Sequence, residues 1–580
     1  VRAAAGGRPI SEAKLQAIED AISNKMRGLA RADRQRWLGL SRDQRMTEAV
    51  SAAMEDIKAE AALKEYRAGL NVIRIAESEQ RIADAMGLNG LTRSQALSRD
   101  IENTGLYVDG VRNDAISGMV SFLDAAESRE GVGAMRSLGM SVFSLDNPAM
   151  TADIVREVFR NADGSTGNAA AKKAAEAWLS TVERLRERFN TAGGNVGKLG
   201  YGYLSQAHDM WKVLDAGVDR WSSAVLPLLD RERYVNADGS LMNDAQLRDL
   251  LGGAWETIST DGANKAEPGA FKATPPRANR GSDHRVLHFR DGDAWMAYMT
   301  EYGEGSLYDS MIGHIGKMAR DVGLIERYGS NPEHWFRLEL DLAQRADGVG
   351  TMPSRLAGNQ PEAYWAIATG RTGSPENRLI AARFQDLRNV QTAAKISWGP
   401  LAALADAGTI LQTLHYDRIP YFEYLKAVGR RFSAGHREQM TAHGVISESL
   451  LSSLNRWTGD NMTHSATGRV ANAVMKLSLM NAWTDNLRSA FADVMMLNFA
   501  KKVGKAWGQL DAWDRYLMER KGITEADWSI ITQAAPTAIE GRAFLTHRAI
   551  ASTGIDGAQQ VATKWLGFVS DEAQFAVVNP

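Results

Sequence analysis

The stretch Gly193-Gly-Asn-Val-Gly-Lys198-Leu199 carries the glycines and the lysine of a phosphate-cradling loop. Such a loop needs four residues between its first glycine and the Gly-Lys pair, then a hydroxyl for magnesium. Here three residues intervene from Gly193, and Leu199 stands where Ser or Thr should. The expected structure is instead a flexible turn leaving a helix that ends near Asn190. His284 and His288 are four apart, the spacing of two metal ligands on one helix face. The segment around them reads as extended, and the glutamate of H-E-x-x-H is missing. His436 and His443, with Glu438 and Glu448 nearby, fit solvated or hydrogen-bonded side chains better than zinc ligands. Glu304-Gly-Ser306 and Glu448-Ser449 each offer an acid of the kind that cleaves glycosidic bonds once burial raises its pKa. Neither is followed by the Gly-Leu-Met/Phe-Gln segment of a lytic transglycosylase. No catalytic, cofactor-binding or metal-binding residue is therefore expected.

One cluster points to a ligand. Arg27, Arg31, Arg34, Arg36, Arg42 and Arg45 face only Asp33 and Asp43, with Trp37 among them. Arginines can hold a phosphate backbone and an indole can stack on a base. Arg27, Arg31 and Arg34 share a helix face by their three- and four-residue spacing. With Trp37 they are the candidate nucleic-acid contacts. The same residues would also suit a solvated face, or one paired with an acidic partner helix.

The elements that must position these groups are helices. Leu15, Ile18, Ile22, Met26 and Leu29 predict a helix over 11–30, with Ser11 as its cap. Residues 43–86, rich in Ala, Glu and Lys, predict a second, which Asn89-Gly90 breaks. Shorter helices follow over 91–190. Asn161-Ala-Asp-Gly-Ser165 recurs as Asn236–Ser240, read as one turn chemistry used twice. Residues 259–283 read as an exposed loop or linker, and 347–376 as a second polar, Gly-rich stretch. Val470, Val474, Leu477, Met480, Leu487, Phe491 and Val494 line one side of a helix over 469–500. Lys476, Asp485, Arg488 and Asp493 interrupt it as a membrane span. Trp483, Trp507, Trp513 and Trp528 are expected as core or interface anchors. Strand signals are confined to 141–144 and 285–289. The fold class is mainly α: an elongated, multi-segment helical protein with few or no strands. Its expected divisions are 1–90, 91–258, the linker 259–283, 284–390 and 391–580.

The 580 residues suffice for several cores. With 44% hydrophobic and 24% charged residues and a net charge of -2, the balance is globular, without a field that marks a nucleic-acid binder. The absence of cysteine excludes disulfides, cysteine nucleophiles and cysteine-ligated metals. Val1 at the start and Pro580 after an apolar run suggest a section of a longer polypeptide.

Four stretches carry a resemblance: YGYLSQAHDMWKVLDAGVDRW (201–221), HRVLHFRDGDAWMAYMTEYGEG (284–305), IGHIGKMARDVGLIERYGSNPEHW (312–335) and ISWGPLAALADAGTIL (396–411), the last followed by the amphipathic region to Trp528. In pattern and order they resemble long internal virion proteins of tailed bacteriophages, strongest over 201–335 and 396–528. The resemblance implies a structural protein of the DNA-ejection machinery. It would be housed in the capsid interior and later form part of a conduit across the host envelope. It implies other internal virion proteins and portal or tail proteins as partners, phage DNA and the host envelope as possible contacts, and a homo-oligomeric ring. No cofactor is implied. Two other readings remain open: a peptidoglycan-cleaving or polymerase-associated virion enzyme with its active site elsewhere in the chain, and a helical scaffold outside the virion.

Overall fold

The long Ala/Glu/Lys-rich run folds as a helix because its ends are capped as well as its interior favoured. Ser41 accepts from the Gln44 N–H while the Gln44 side chain accepts from the Ser41 N–H, and Gly90 closes the far end at φ 61°. A computed structural model of the chain describes residues 12–119, 148–260, 277–279, 285–304, 307–348, 361–370, 409–431 and 480–576. The first helices are α1 (Glu12–Ala32), α2 (Arg34–Gly39), α3 (Arg42–Asn89) and α4 (Arg93–Ser117). Then come α5 (Pro148–Phe159), α6 (Ala169–Thr191), α7 (Met210–Val225), α8 (Asp244–Ser259) and α9 (Gly292–Tyr302). They are followed by α10 (Leu307–Tyr328), α11 (Pro332–Asp347) and α12 (Pro361–Thr369). The C-terminal part holds α13 (409–416), α14 (Tyr421–Arg431), α15 (Met480–Ala500), α16 (Ala512–Arg520), α17 (Glu525–Ile531), α18 (His547–Ala551) and α19 (Ala558–Ala576). Among the described residues the strands are β1 (Thr537–Ile539) and β2 (Arg542–Phe544), an antiparallel hairpin turned by Glu540-Gly541.

The protein is mainly α. Its largest core joins the C-terminal half of α4 to α5–α10 around Trp178, Trp221, Trp295 and Phe189. A second, on Tyr328, Trp335, Phe336 and Trp365, joins α3 and α4 to α10–α12. A third joins α13 and α14 to α15–α19 around Phe499, Trp528 and Trp565. A small fourth holds Ala30, Trp37, Ala49 and Val235. Helix α4 belongs to the first two cores and also crosses α19. Gly110 and Gly567 make that crossing close. A Cβ on Gly110 would lie 2.3 Å from the Thr563 carbonyl oxygen, and one on Gly567 2.3 Å from that of Leu106.

The hairpin is absent from the sequence reading, because three-residue strands leave too little alternation to see. The expected strand at 285–289 is a single bridge between Leu229 and Phe289; 141–144 lies outside the described residues. The expected linker is not uniformly a loop. Ser259 ends α8, and Arg277–Asn279 form a 3-10 turn in which Arg277 and Ala278 are buried. Both copies of the Asn-Ala-Asp-Gly-Ser turn fold alike where the chemistry is local: the aspartate accepts from the serine N–H, at 2.9 Å each, and the glycine takes a positive φ. Leu487, Phe491 and Val494 face the core of α15, and Arg488 and Asp493 are buried there too. Val470, Val474, Leu477 and Lys476 lie outside the described residues. Among those described, no helix is long and apolar enough to cross a membrane.

Candidate functional site

The arginine-rich segment is organised around the second Asn-Ala-Asp-Gly-Ser turn. Three successive carbonyls of that turn each receive a donor from it. The Trp37 indole donates to Ala237 at 3.2 Å, Arg45 to Asp238 at 2.8 Å and Arg34 to Gly239 at 2.9 Å. Turn carbonyls that leave a helix or strand ladder need donors; α2 supplies two of them and the first turn of α3 the third. Trp37 is fully buried, so its ring faces protein rather than solvent. Arg27 is half-buried and bonds Ser23. Of the four candidate nucleic-acid contacts only Arg31 is exposed. Burial, then the neighbouring charges of Arg233 and Arg27, lower its pKa. Of the four, Trp37 and Arg34 hold the turn together with Arg45, while Arg27 bonds Ser23 and Arg31 reaches the Arg27 carbonyl. Arg36 forms a two-pronged pair with Glu48 at 2.9 and 2.8 Å.

The glycine-lysine loop is the C-terminal cap of α6. Gly193 takes φ 103°, the Gly194 N–H returns to the Phe189 carbonyl, and Asn190 and Val196 bond each other at 2.8 and 2.9 Å. A helix C-terminus carries the negative end of its dipole, the wrong end for a phosphate. Lys198 pairs with Glu183 at 3.0 Å.

His288 lies in extended chain, as its sequence suggests, with its ring edge-on to Tyr234. Burial lowers it to about 4, as it does His208 and His314. All three are neutral at neutral pH. The Glu304 N–H bonds the Ala207 carbonyl. His284, His436, His443, Glu438 and Glu448 lie outside the described residues. Among those described, no group of three or more histidine, aspartate or glutamate side chains is placed to hold a metal ion.

Sequence reasoning missed the buried polar networks, since their partners come from distant segments. Asp100 of α4 takes Arg81 of α3 at 2.6 Å and Arg327 of α10 at 2.8 Å. Arg188 of α6 holds Glu326 at 2.8 Å and also reaches the Tyr107 hydroxyl. Arg277 bridges Asp321 at 2.6 Å and Glu333 at 2.5 Å. Arg93 joins Glu79 to Glu339, both at 2.7 Å; burial, then the Glu79 hydrogen bond, pushes Glu339 up to about 7. Asp417, just after α13, is buried with neither carboxylate oxygen hydrogen-bonded. Burial, then the charge of Glu572, pushes it up to about 8. A carboxylate with such a pKa would suit proton transfer. What surrounds Asp417, though, is Glu572 and the Lys521–Asp571 pair, a junction between α13, α16 and α19. These groups fasten helices to one another, and no local pattern in the sequence marks any of them.

No family description, no curated protein and no solved structure matches the chain.

Proposed function

We propose that the chain is a structural internal virion protein of a tailed bacteriophage, part of the machinery that delivers DNA from the capsid interior and then forms a conduit across the host envelope. The observation that carries this reading lies in 312–335, one of the four stretches that resemble such proteins. Four of its charged residues, Asp321, Glu326, Arg327 and Glu333, are tied in buried ion pairs to α4, α6 and Arg277. The segment that carries the resemblance therefore works as a fastener of helices, which is what a structural subunit requires. In this reading the protein does not catalyse; its partners are other internal virion proteins and portal or tail proteins, with DNA passing nearby. On this reading Arg31, the exposed one of the four candidate contacts, would be the side chain that meets it. Head-to-tail contacts that close would give a ring.

The test is a count of copies per particle before and after DNA release. Loss of the protein from emptied particles, with recovery in the host envelope fraction, is the expected result. Retention of every copy in emptied particles would overturn the proposal.

A further inference from the structure

Along the middle of α3 one face lies open to solvent among the described residues. Met54, Ile57, Val72 and Ile75 are 54%, 55%, 70% and 40% exposed, and Ala61, Lys64, Glu65 and Ala68 on the same face are exposed as well. The side of the helix that meets the body is different. Tyr66 bonds the Thr191 carbonyl, Arg67 that of Gly193, and Asn71 the Ser330 hydroxyl. The exposed stripe covers about 32 Å of helix at 1.5 Å per residue.

Its pattern identifies an occupant. On this face the apolar positions from Met54 to Ile75 are separated by 3, 4, 7, 4 and 3 residues, the same in either direction about the point between Lys64 and Glu65; Ile73, also exposed, lies off the stripe. A second copy laid antiparallel across that point would set Met54 beside Ile75, Ile57 beside Val72 and Ala61 beside Ala68. Large side chains would then seal the ends, and small ones at the middle would let the backbones come close. Lys64 and Glu65 of both copies would meet at the axis, two cations and two anions in one neutral group. A parallel seam lacks this continuity. A parallel seam needs two seven-residue rows: the one from Met54 stays on the stripe through Ala61, Ala68 and Ile75, but the one from Ile57 passes Lys64 and reaches Asn71 and then Ser78, which are turned to the body, Ser78 fully buried beneath the Trp335 indole.

We infer that α3 is a self-association surface, and that two copies of this chain pair through it as antiparallel helices about a two-fold axis between Lys64 and Glu65. The contact is isologous, with the same patch used by both copies. It rests on α3 alone and stands whether or not the protein belongs to a virion; in a ring-forming subunit it would join one ring to another.

The chain has no cysteine, so an introduced thiol is the only one present. In the full-length protein under mild oxidation, Lys64→Cys should crosslink to itself. Met54→Cys should crosslink when mixed with Ile75→Cys, and neither of those two should crosslink alone. Sedimentation should show a dimer. Ile57→Asp with Val72→Asp should weaken it by about tenfold or more, with an unchanged far-ultraviolet spectrum because both side chains are already exposed. A chain that stays monomeric at high concentration would overturn the inference, whether because the face is bare or because another part of the same chain covers it. So would Met54→Cys crosslinking to itself, the mark of parallel pairing.

Discussion

Arg277 stands in a stretch of glycine, proline and small polar residues, yet its guanidinium is 1% exposed and held between Asp321 and Glu333. The backbone beside it is fixed as well: the Ala278 N–H bonds the Ser330 carbonyl, and Arg67 reaches the Ala278 carbonyl at 3.2 Å. Arg277 thus ties the turn to α10 and α11, and the Ala278 carbonyl ties it to α3. Replacing a whole buried ion group by apolar side chains can be neutral, but removing one partner leaves charge without compensation. Arg277→Gln should accordingly destabilise the protein by about 3–5 kcal/mol, read as a fall in the urea midpoint at constant slope. An unchanged midpoint would mean that the two carboxylates are satisfied without it. The sequence hid this role because composition reports what a stretch is made of, whereas Arg277 is placed by two acids 44 and 56 residues away. Trp37 was misleading in the complementary way. Its neighbours along the chain are arginines, but its neighbour in space is the Ala237 carbonyl.

Among the elements, those with long periodic patterns were legible. α1 and α3 lie within a few residues of their expected bounds, and Gly90 ends α3 as Asn89-Gly90 suggested. What sequence could not show is which faces meet. At the α4–α19 crossing the decisive residues are glycines, which in sequence look like helix defects. Alanine is ordinarily better than glycine inside a helix by about 0.5–1 kcal/mol, and Gly105→Ala, with open space around its Cβ, should follow that rule. Gly567→Ala in α19 should reverse it and destabilise by about 1–3 kcal/mol, because its Cβ would push against the backbone of α4. Adding Gly110→Ala should cost less than the sum of the two single changes, since one separation of the helices relieves both clashes. Thermal or urea unfolding of the three single variants and the double variant checks this. A stabilising Gly567→Ala would show that the helices do not touch there.

At the scale of the whole molecule, buried titratable groups pull stability in opposite directions with pH. His208, His288 and His314 are each lowered by burial to about 4. Between that value and the ordinary 6.5 the unfolded chain binds protons that the native state refuses, so their contribution is lost as pH falls through this window. Asp100 adds to the acid side. Against burial, the charges of Arg81 and Arg327 hold it below the ordinary carboxylate range, so its contribution goes when it is finally protonated. Asp417 and Glu339 act the other way. Raised to about 8 and about 7, they hold protons in the native state that the unfolded chain releases, so their contribution is full below the ordinary carboxylate range and is lost as pH rises. The histidines therefore shape the acid flank of the stability curve, and above 6.5, where they are largely neutral in both states, the raised carboxyls shape the alkaline flank. The two flanks belong to different parts of the chain, the histidines to the core of α4–α10 and Asp417 to the junction of α13 with α19. Asp417→Asn should therefore flatten the alkaline flank, whose slope for one group approaches about 1.4 kcal/mol per pH unit, and steepen the acid flank, where the carboxyl no longer opposes the histidines. Melting curves of both proteins from pH 4 to 9 decide it. An alkaline flank that survives the substitution unchanged would place the loss of stability somewhere other than Asp417.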